Sequence, residues 1–291
     1  MPGSRENELQ RHFGLIGVGL VGIALAERCL KSGWAVCGHD ISADRMNEFQ
    51  GLGGRICSNA DDVFTKSKTI VVSLPTSEIA ATVLDNIHGS LHGKTIIDTT
   101  TGAPEQMISL GQRLTERGAT YLDATIAGSS AQVRLGEVVV MIGGDDRAAA
   151  EYHDFFGSFA SRSFHVGPIG AGARMKLVVN LVLGLNRAVI AEGLCFAERF
   201  GVDPRKALEV LQASPAYSRV MDTKATKMLD GDFTLQARLA QHSKDIRLIL
   251  NAGKQFGAKL PLSNLHEMLL SNLIQEGYGD LDNSAIVKAF Q

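Results

Sequence analysis

The sequence predicts a mostly parallel, doubly wound α/β domain followed by an all-α C-terminal domain. In the first half, short β-branched segments alternate with amphipathic helical segments, a pattern typical of βαβ units. After Gly167 the pattern becomes helical, with no convincing strand segment. A chain of 291 residues is long enough for about two domains. We therefore predict a first domain over residues 1–166 and a second over residues 167–291.

The predicted strands of the first domain are short and apolar. They cover residues 12–17, 35–40, 69–74, 94–98, 120–123 and 138–142. The predicted helices between them cover residues 20–31, 44–52, 78–87 and 104–117. Pro104 is suited to the first turn of the last of these helices, because a proline there gives up no helical hydrogen bond.

The second domain begins with a long predicted interdomain helix over about residues 170–200. Its apolar stretch contains Asn180, Asn186, Arg187 and Glu192, which argues against a membrane span and predicts a buried helix. Asp203 is a plausible N-cap for the next helix, which starts at Pro204. Further helices are predicted over residues 235–256, 263–275 and 283–290.

Composition excludes several classes of protein. Hydrophobic residues make up 45% of the chain and charged residues 21%, as in a globular protein. The net charge of −2 argues against nucleic-acid binding. The polar N-terminal residues contain no apolar leader, and the four cysteines form no C-x-x-C pair. We therefore expect a cytoplasmic protein with reduced thiols and no metal site.

A glycine-rich loop follows the first predicted strand and opens the first helix. It has the pattern G-x-G-x-x-G and consists of Gly17, Val18, Gly19, Leu20, Val21 and Gly22. Asp40 ends the second strand, 18 residues after Gly22. Together these features predict a Rossmann domain that binds a dinucleotide, with the pyrophosphate at the helix N-terminus. Asp40 favours NAD over NADP, because a carboxylate repels a 2′-phosphate, although Arg45 lies close enough in sequence to weaken this preference.

Lys176 and Asn180 lie four residues apart in the predicted interdomain helix and so share one of its faces. The surrounding segment is apolar, and polar groups on a buried helix need partners. From the residues alone, a lysine that extends to solvent is about as plausible as a functional one.

Five segments, in order, resemble the motifs of the β-hydroxyacid dehydrogenase family. They are FGLIGVGLVG, SLPTS, IDTTTGAP, DATIAGSS and GAGARMKLVVN. A Lys244-Asp245 pair is similar to one in the family's helical domain. The resemblance extends over about residues 12–290.

The resemblance implies hydride transfer between a nicotinamide and a small 3-hydroxy acid or aldehyde acid. Substrates similar to 3-hydroxyisobutyrate or tartronate semialdehyde are expected. Lys176 would be the general acid/base, and Asn180 would orient the substrate or Lys176. The cofactor, NAD or NADP, would also contact Leu74, Pro75, Thr101 and Lys244.

A substrate-carboxylate loop is implied for residues 123–130. Its candidate binding residues are Asp123, Ala127, Gly128, Ser129 and Ser130. In this loop the chain departs from the family pattern, because Thr125 replaces a proline, Ala127 a serine and Ser129 a glycine. The usual carboxylate-binding hydroxyl is therefore absent from its position, and Ser129 or Ser130 could supply another.

Two alternatives remain open from the sequence. An imine reductase shares this scaffold, but such enzymes usually lack the lysine found at position 176. A non-catalytic dinucleotide sensor would explain an altered substrate loop. The resemblance also implies a homodimer or homotetramer.

Overall fold

The computed structural model describes residues 11–291 and divides the chain into two compact units. One unit ends at Lys176, and the other covers Leu177–Gln291. The division falls within a long helix, whereas the predicted domain boundary lies before that helix, next to Gly167.

The first unit is built on one eight-stranded sheet. Its strands are β1 (His12–Ile16), β2 (Ala35–His39), β3 (Arg55–Ile56), β4 (Thr69–Val72), β5 (Thr95–Asp98), β6 (Thr120–Ala127), β7 (Val138–Gly143) and β8 (Ala160–Gly167). Neighbouring strands follow the order β3-β2-β1-β4-β5-β6-β7-β8. All pairs are parallel except β6 with β7, which confirms the predicted mostly parallel sheet.

The strand order reverses between β1 and β4, which are neighbours although two strands lie between them in sequence. In an open α/β sheet, ligands bind at the carboxyl ends of the strands on either side of such a reversal. The glycine-rich loop follows β1, and Leu74 and Pro75 follow β4. Two of the sequence-predicted cofactor segments therefore meet at the position where this topology creates a crevice.

Helices cover both faces of the sheet, and their starts follow local sequence signals. They are α1 (Leu20–Lys31), α2 (Ala43–Gly51), α3 (Ala60–Lys66), α4 (Ser77–Asp85), α5 (Pro104–Glu116), α6 (Ser130–Leu135), α7 (Asp146–Glu151) and α8 (His153–Gly157). Ser42, Asn59 and Thr76 each accept a backbone N–H at the start of α2, α3 and α4. Such side-chain caps satisfy N–H groups that have no partner within the helix.

Four short helices of the first unit, α3, α6, α7 and α8, and two strands, β3 and β8, go beyond the predicted elements. Strand β6 is also longer than predicted, since it continues to Ala127 rather than ending at Asp123. The loop conformation predicted for residues 123–130 is therefore wrong for residues 123–127, which are paired strand residues.

The second unit is helical, as predicted. Its elements are the C-terminal part of α9 (Ala171–Arg199), α10 (Pro204–Ala213), a π-helix (Met221–Ala225), α11 (Thr226–Asp230), α12 (Leu239–Phe256), α13 (Pro261–Gln275) and a 3₁₀ helix (Asn283–Ala289). Asp203 caps α10 by accepting the N–H of Arg205, as its position before Pro204 predicts. A separate apolar core, including Leu194, Ile246 and Leu270, holds this unit together.

Helix α9 is long and apolar enough to cross a membrane by length and composition, but core helices of soluble proteins meet the same criteria. It buries the polar residues Asn180 and Arg187. The buried helix predicted from the sequence is buried on only part of its surface in the single chain, because several of its large apolar side chains are exposed. Met175, Val182, Val189 and Phe196 recur every seven residues and are 38%, 51%, 65% and 65% exposed. We call this set the α9 stripe.

Candidate active site

The glycine-rich loop has the conformation that its sequence predicts. Gly17 has a φ of 91°, a backbone conformation that side chains disfavour, and a Cβ there would lie 2.3 Å from the carbonyl oxygen of Ser73. A Cβ at Gly22 would lie 2.1 Å from the Gly17 carbonyl oxygen. Both glycines are therefore required for the close approach of β1, β4 and α1.

Gly19 differs, because a Cβ added there would meet nothing within 4 Å. It is the N-cap of α1 and provides no side-chain cap, and no acidic residue lies in the first turn. Open space beside a helix N-terminus without a carboxylate suits a bound anion. These features fit the pyrophosphate of a dinucleotide.

Asp40 contacts the glycine-rich loop directly. One carboxylate oxygen accepts the N–H of Val18 at 2.6 Å, and the other accepts the N–H of Ser42 at 2.8 Å. Val18 is fully buried, whereas Leu20, at the start of α1, is half exposed. Asp40 therefore fixes the glycine-rich loop to the end of β2.

The loops after β4 and β5 are joined by a hydrogen-bond network that the sequence analysis missed. Thr100 accepts the N–H of Leu74 at 3.2 Å through its hydroxyl, and its own N–H is donated to Asp98 at 2.9 Å. Tyr121 donates its hydroxyl to the same carboxylate at 2.9 Å. Burial raises the pKa of Asp98. This network positions Leu74 and the segment that contains Thr101.

Asp123 lies in β6, fully buried, and binds the start of α9. Its carboxylate accepts the N–H of Gly170 at 2.7 Å and the N–H of Ala173 at 2.8 Å. Burial outweighs these hydrogen bonds and raises the pKa of Asp123 to about 6. Because both oxygens are engaged with backbone, the carboxylate positions the helix that carries Lys176.

The rest of the predicted substrate segment forms the turn into α6. Ala127 ends β6, and Gly128 has a φ of 150°. Ser129 is the N-cap of α6 and shares a capping box with Gln132. Ser130, the first residue of α6, has no hydrogen bond from its hydroxyl to any of residues 11–291. Of the two serines, Ser130 is therefore the one whose hydroxyl is not used to cap α6.

Lys176 and Asn180 lie on one face of α9, as predicted, since one helical turn separates them. Lys176 is partly buried and Asn180 is buried. The Asn180 amide donates to Asp245 of α12 at 3.0 Å. Asp245 orients the amide and follows Lys244, a partly buried residue of the same helix. Only the Lys244-Asp245 motif in the sequence pointed to this carboxylate.

Within residues 11–291 there is no group of three or more His, Cys, Asp or Glu side chains placed to hold a metal ion.

Two family models match the two parts of the chain. The NAD binding domain of 6-phosphogluconate dehydrogenase matches residues 12–167. The NAD-binding domain of NADP-dependent 3-hydroxyisobutyrate dehydrogenase matches residues 170–290. Together they include the glycine-rich loop, Lys176 and Lys244.

Individual proteins match over nearly their whole lengths. The 2-(hydroxymethyl)glutarate dehydrogenase of Eubacterium barkeri is 29% identical over 96% of this chain and 94% of its own. The solved structure of 3-hydroxyisobutyrate dehydrogenase from Salmonella typhimurium has a TM-score of 0.86 at 22% identity, covering 96% of this chain and 99% of its own.

An imine reductase from a Pseudomonas species shares the fold less closely. Its structure has a TM-score of 0.66 at 20% identity, covering 97% of this chain and 99% of its own. The chain belongs to the β-hydroxyacid dehydrogenase family of NAD(P)-dependent oxidoreductases.

Proposed function

We propose that the protein interconverts a small 3-hydroxy acid and the corresponding aldehyde acid, with Lys176 as general acid/base. The observation that carries this proposal is the placement of Lys176 and Asn180 on one face of α9, together with the glycine-rich loop of the first unit. When bound, the nicotinamide dinucleotide supplies or accepts a hydride. Lys176 Nζ accepts the hydroxyl proton during oxidation and returns it during reduction.

Asn180 and Asp245 act together in this proposal. The hydrogen bond from Asn180 to Asp245 fixes the orientation of the amide, so its oxygen is held in one direction. Asn180 then orients the substrate or Lys176, and Asp245 acts as a positioning residue. Lys244 contributes a positive charge toward the cofactor or substrate.

The substrate carboxylate is assigned to the turn after β6. Ser130 provides the hydroxyl that Ala127 lacks, since Ser129 is already the cap of α6. Gly128 provides backbone without a side chain. Asp123 does not contact the anionic substrate in this proposal. Its carboxylate holds the start of α9 by accepting the N–H groups of Gly170 and Ala173.

The variant Lys176→Ala tests the role of Lys176 as general acid/base. Loss of a general acid/base is expected to lower kcat by about 10²-fold or more. Binding of the reduced cofactor, followed by its fluorescence, should remain within a few-fold of the parent protein. Lys206→Ala, an exposed lysine that pairs with Glu209, is the matched control. Near-normal turnover in Lys176→Ala would contradict the assignment.

NAD is the preferred cofactor in this proposal. A 2′-phosphate next to Asp40 would be repelled by the carboxylate. Ile41, the next residue, is 99% exposed but carries no positive charge that could bind the phosphate. Arg45 is paired with Glu48 at 2.8 Å. We expect a kcat/KM for NAD at least about 10-fold above that for NADP, a difference of about 1.4 kcal/mol. Ile41→Arg should narrow this ratio, and equal or better use of NADP by the parent would overturn the assignment.

The substrate is best identified with a panel that separates acid classes. The panel contains 3-hydroxyisobutyrate, a monoacid, and 2-(hydroxymethyl)glutarate, a diacid with the same hydroxymethyl group beside a carboxylate. The corresponding semialdehydes test the reductive direction. An enzyme that uses none of them with NAD or NADP would contradict the proposed function, and an amine product would indicate an imine reductase.

The protein is further proposed to be a cytoplasmic homodimer or homotetramer that binds neither nucleic acid nor membrane. The α9 stripe supports self-association, because apolar residues every seven positions form the kind of seam by which helices pair. An exposed apolar surface of this kind is typical of an interface between copies.

A further inference from the structure

Two of the four cysteines are neighbours at one edge of the sheet of the first unit. Cys37 is in β2, and Cys57 directly follows β3, the last strand of the sheet on that side. The two strands pair in parallel with Gly38 opposite Ile56, and the N–H of Cys57 donates to the Gly38 carbonyl oxygen at 2.8 Å. We call Cys37 and Cys57 the thiol pair.

The side chains of the thiol pair lie on the same face of the sheet. Cys37 is opposite Arg55 in the strand register, and residues two positions apart on a strand share a face. Both cysteines belong to a core cluster with Val63 of α3, whereas Val36, next to Cys37, belongs to another cluster. Both thiols are free, and each residue of the pair is at most 2% exposed.

The surroundings of the thiol pair favour a thiolate at Cys37. Burial opposes its ionisation, but interactions with the side chains of His12, Ser67 and Cys57 outweigh burial and lower the pKa of the Cys37 thiol. The Ser67 hydroxyl lies 3.2 Å from Cys37 Sγ. Because the thiolate is the nucleophilic form of cysteine, Cys37 is the reactive member of the pair.

Cys57 has the opposite tendency. Burial, together with the negative charge of the Cys37 thiolate, raises the pKa of Cys57 to about 12. The second of these causes disappears once Cys37 is oxidised to an uncharged group. The two thiols are therefore suited to different roles, in which Cys37 reacts first and Cys57 attacks the product.

The other two cysteines belong to different parts of the core. Cys29 is in α1, and its thiol lies 3.5 Å from the Ser158 hydroxyl in a separate core cluster. Burial raises the pKa of Cys29 to about 12. Cys195 lies in α9 and belongs to the core of the second unit. The thiol pair is therefore the combination that the fold brings together.

The thiol pair lies next to the residue that holds the glycine-rich loop. The backbone of Cys57 is hydrogen-bonded to Gly38, and its carbonyl oxygen accepts from His39 Nδ1 at 3.2 Å. These two residues immediately precede Asp40, whose carboxylate accepts the N–H of Val18. A displacement of Cys57 therefore acts on the end of β2 and, through Asp40, on the glycine-rich loop.

From these contacts we infer that the thiol pair is a peroxide-sensitive modification site, whose conversion to a disulfide weakens dinucleotide binding. The Cys37 thiolate attacks hydrogen peroxide, so that an S–O bond forms, the O–O bond breaks, and hydroxide leaves and takes up the proton that Cys37 lost. Cys57 then attacks the sulfur of the Cys37 sulfenic acid, the S–S bond forms, and water leaves with the Cys57 proton. The two sulfurs together lose two electrons, and peroxide is reduced to two waters.

The short edge strand gives the oxidant access to the thiol pair. Strand β3 has only two residues, both exposed, and residues 58 and 59 after Cys57 are exposed as well. Segments with few buried contacts open locally at little cost, and hydrogen peroxide is a small molecule. A segment held this weakly also lets Cys57 move into the geometry that a disulfide requires.

The disulfide is tested by treating the reduced chain with hydrogen peroxide and removing the excess with catalase. Thiols are counted in denaturant, and linked peptides are identified by mass spectrometry without reduction. The parent should lose two of its four thiols and about 2 Da, with Cys37 linked to Cys57. The absence of a disulfide, a link to Cys29 or Cys195, or a link between two chains would overturn the inference.

Three single variants separate the roles of the cysteines. Cys37→Ser should keep its thiols at the dose that oxidises the parent, because Cys57 forms little thiolate. Cys57→Ser should stop at the sulfenic acid, which dimedone traps. Cys29→Ser, the matched control for a buried cysteine, should form the disulfide as the parent does. Loss of two thiols in Cys37→Ser would overturn the inference, and the parent decides the outcome even if a variant does not fold.

The effect on the cofactor is measured by NADH binding, followed by fluorescence before oxidation, after oxidation and after reduction with dithiothreitol. Oxidation should raise the Kd of the parent by about 10-fold or more, the value of one hydrogen bond to a charged group such as Asp40, and reduction should restore it. Cys37→Ser given the same peroxide dose should keep its Kd, which controls for oxidation elsewhere. An unchanged Kd in the oxidised parent, or equal weakening in Cys37→Ser, would overturn the inference.

Discussion

Asp123 connects the sheet of the first unit to the start of the helix that carries Lys176. Its two carboxylate oxygens accept the N–H groups of Gly170 and Ala173, and a Cβ at Gly172 would lie 2.4 Å from its backbone oxygen. Such close packing leaves no space for water, which is why desolvation dominates the pKa of this carboxyl. The residue is thus a support for Lys176 that remains ionised at neutral pH.

Asp123→Asn should change how stability depends on pH. The pKa of Asp123 is about 6 in the folded protein and 3.8 as the reference, so the folded state binds the proton more tightly. This group therefore contributes stability below about pH 4 that is lost as the pH rises through 6, and the full change is about 3 kcal/mol. Urea unfolding between pH 4 and 7 should show the parent losing stability relative to Asp123→Asn as the pH rises. A constant difference across this range would contradict the assignment.

At the scale of elements, the sequence predicts the long or strongly patterned segments well. The glycine-rich loop and its flanking elements carry a local signal, because close packing requires Gly17 and Gly22, and Gly19 leaves open space at the helix N-terminus. The unpredicted helices α3, α6, α7 and α8 have only five to seven residues, too few for a helical period to be recognised. Strand β8 is the last strand of the sheet and exposes many of its side chains, so it lacks a continuous apolar pattern.

The sequence likewise predicted some features of the candidate site and missed others. Lys176 and Asn180 could be placed on one face because helical spacing is local. The contacts of Asp123 with Gly170 and of Asn180 with Asp245 join residues 47 and 65 positions apart, so they depend on tertiary structure. Nε and Nη1 of Arg187 likewise have no hydrogen-bond partner within residues 11–291, a feature that no local pattern reveals.

The α9 stripe allows a test of assembly at the level of one helix. If two copies pair through it, Val189→Glu should place a buried charge at the seam and yield monomers, since a charge is strongly unfavourable there. Val210→Glu is the matched control, because Val210 lies on α10 and is 66% exposed, against 65% for Val189. Light scattering after size-exclusion chromatography measures the mass. A monomeric parent at micromolar concentration, or dissociation by Val210→Glu alone, would contradict pairing through the stripe.

At the scale of the whole molecule, two buried groups, His266 and Asp123, have opposite effects on how the free energy of unfolding changes in acid. His266 has its pKa lowered from 6.5 to about 4, so the unfolded chain takes up its proton first. Its contribution to stability is present above about pH 6.5 and is lost as the pH falls through 4, by about 3 kcal/mol. Asp123 contributes with the opposite sign over nearly the same range. These two groups should therefore leave little net slope in stability between pH 4 and 6.5.

When one of the two groups is removed, the free energy of unfolding should vary with pH as the remaining group dictates. His266→Gln abolishes the histidine titration, so this variant should gain stability as the pH falls from 6.5 to 4, because Asp123 still takes up a proton in the folded state. Asp123→Asn should lose stability over the same range. Since the two side chains share no hydrogen-bond partner, the double variant should return to the slope of the parent. The free energy of unfolding of the four proteins in urea, measured at four or five pH values, checks this pattern, and slopes of the same sign in both single variants would refute it.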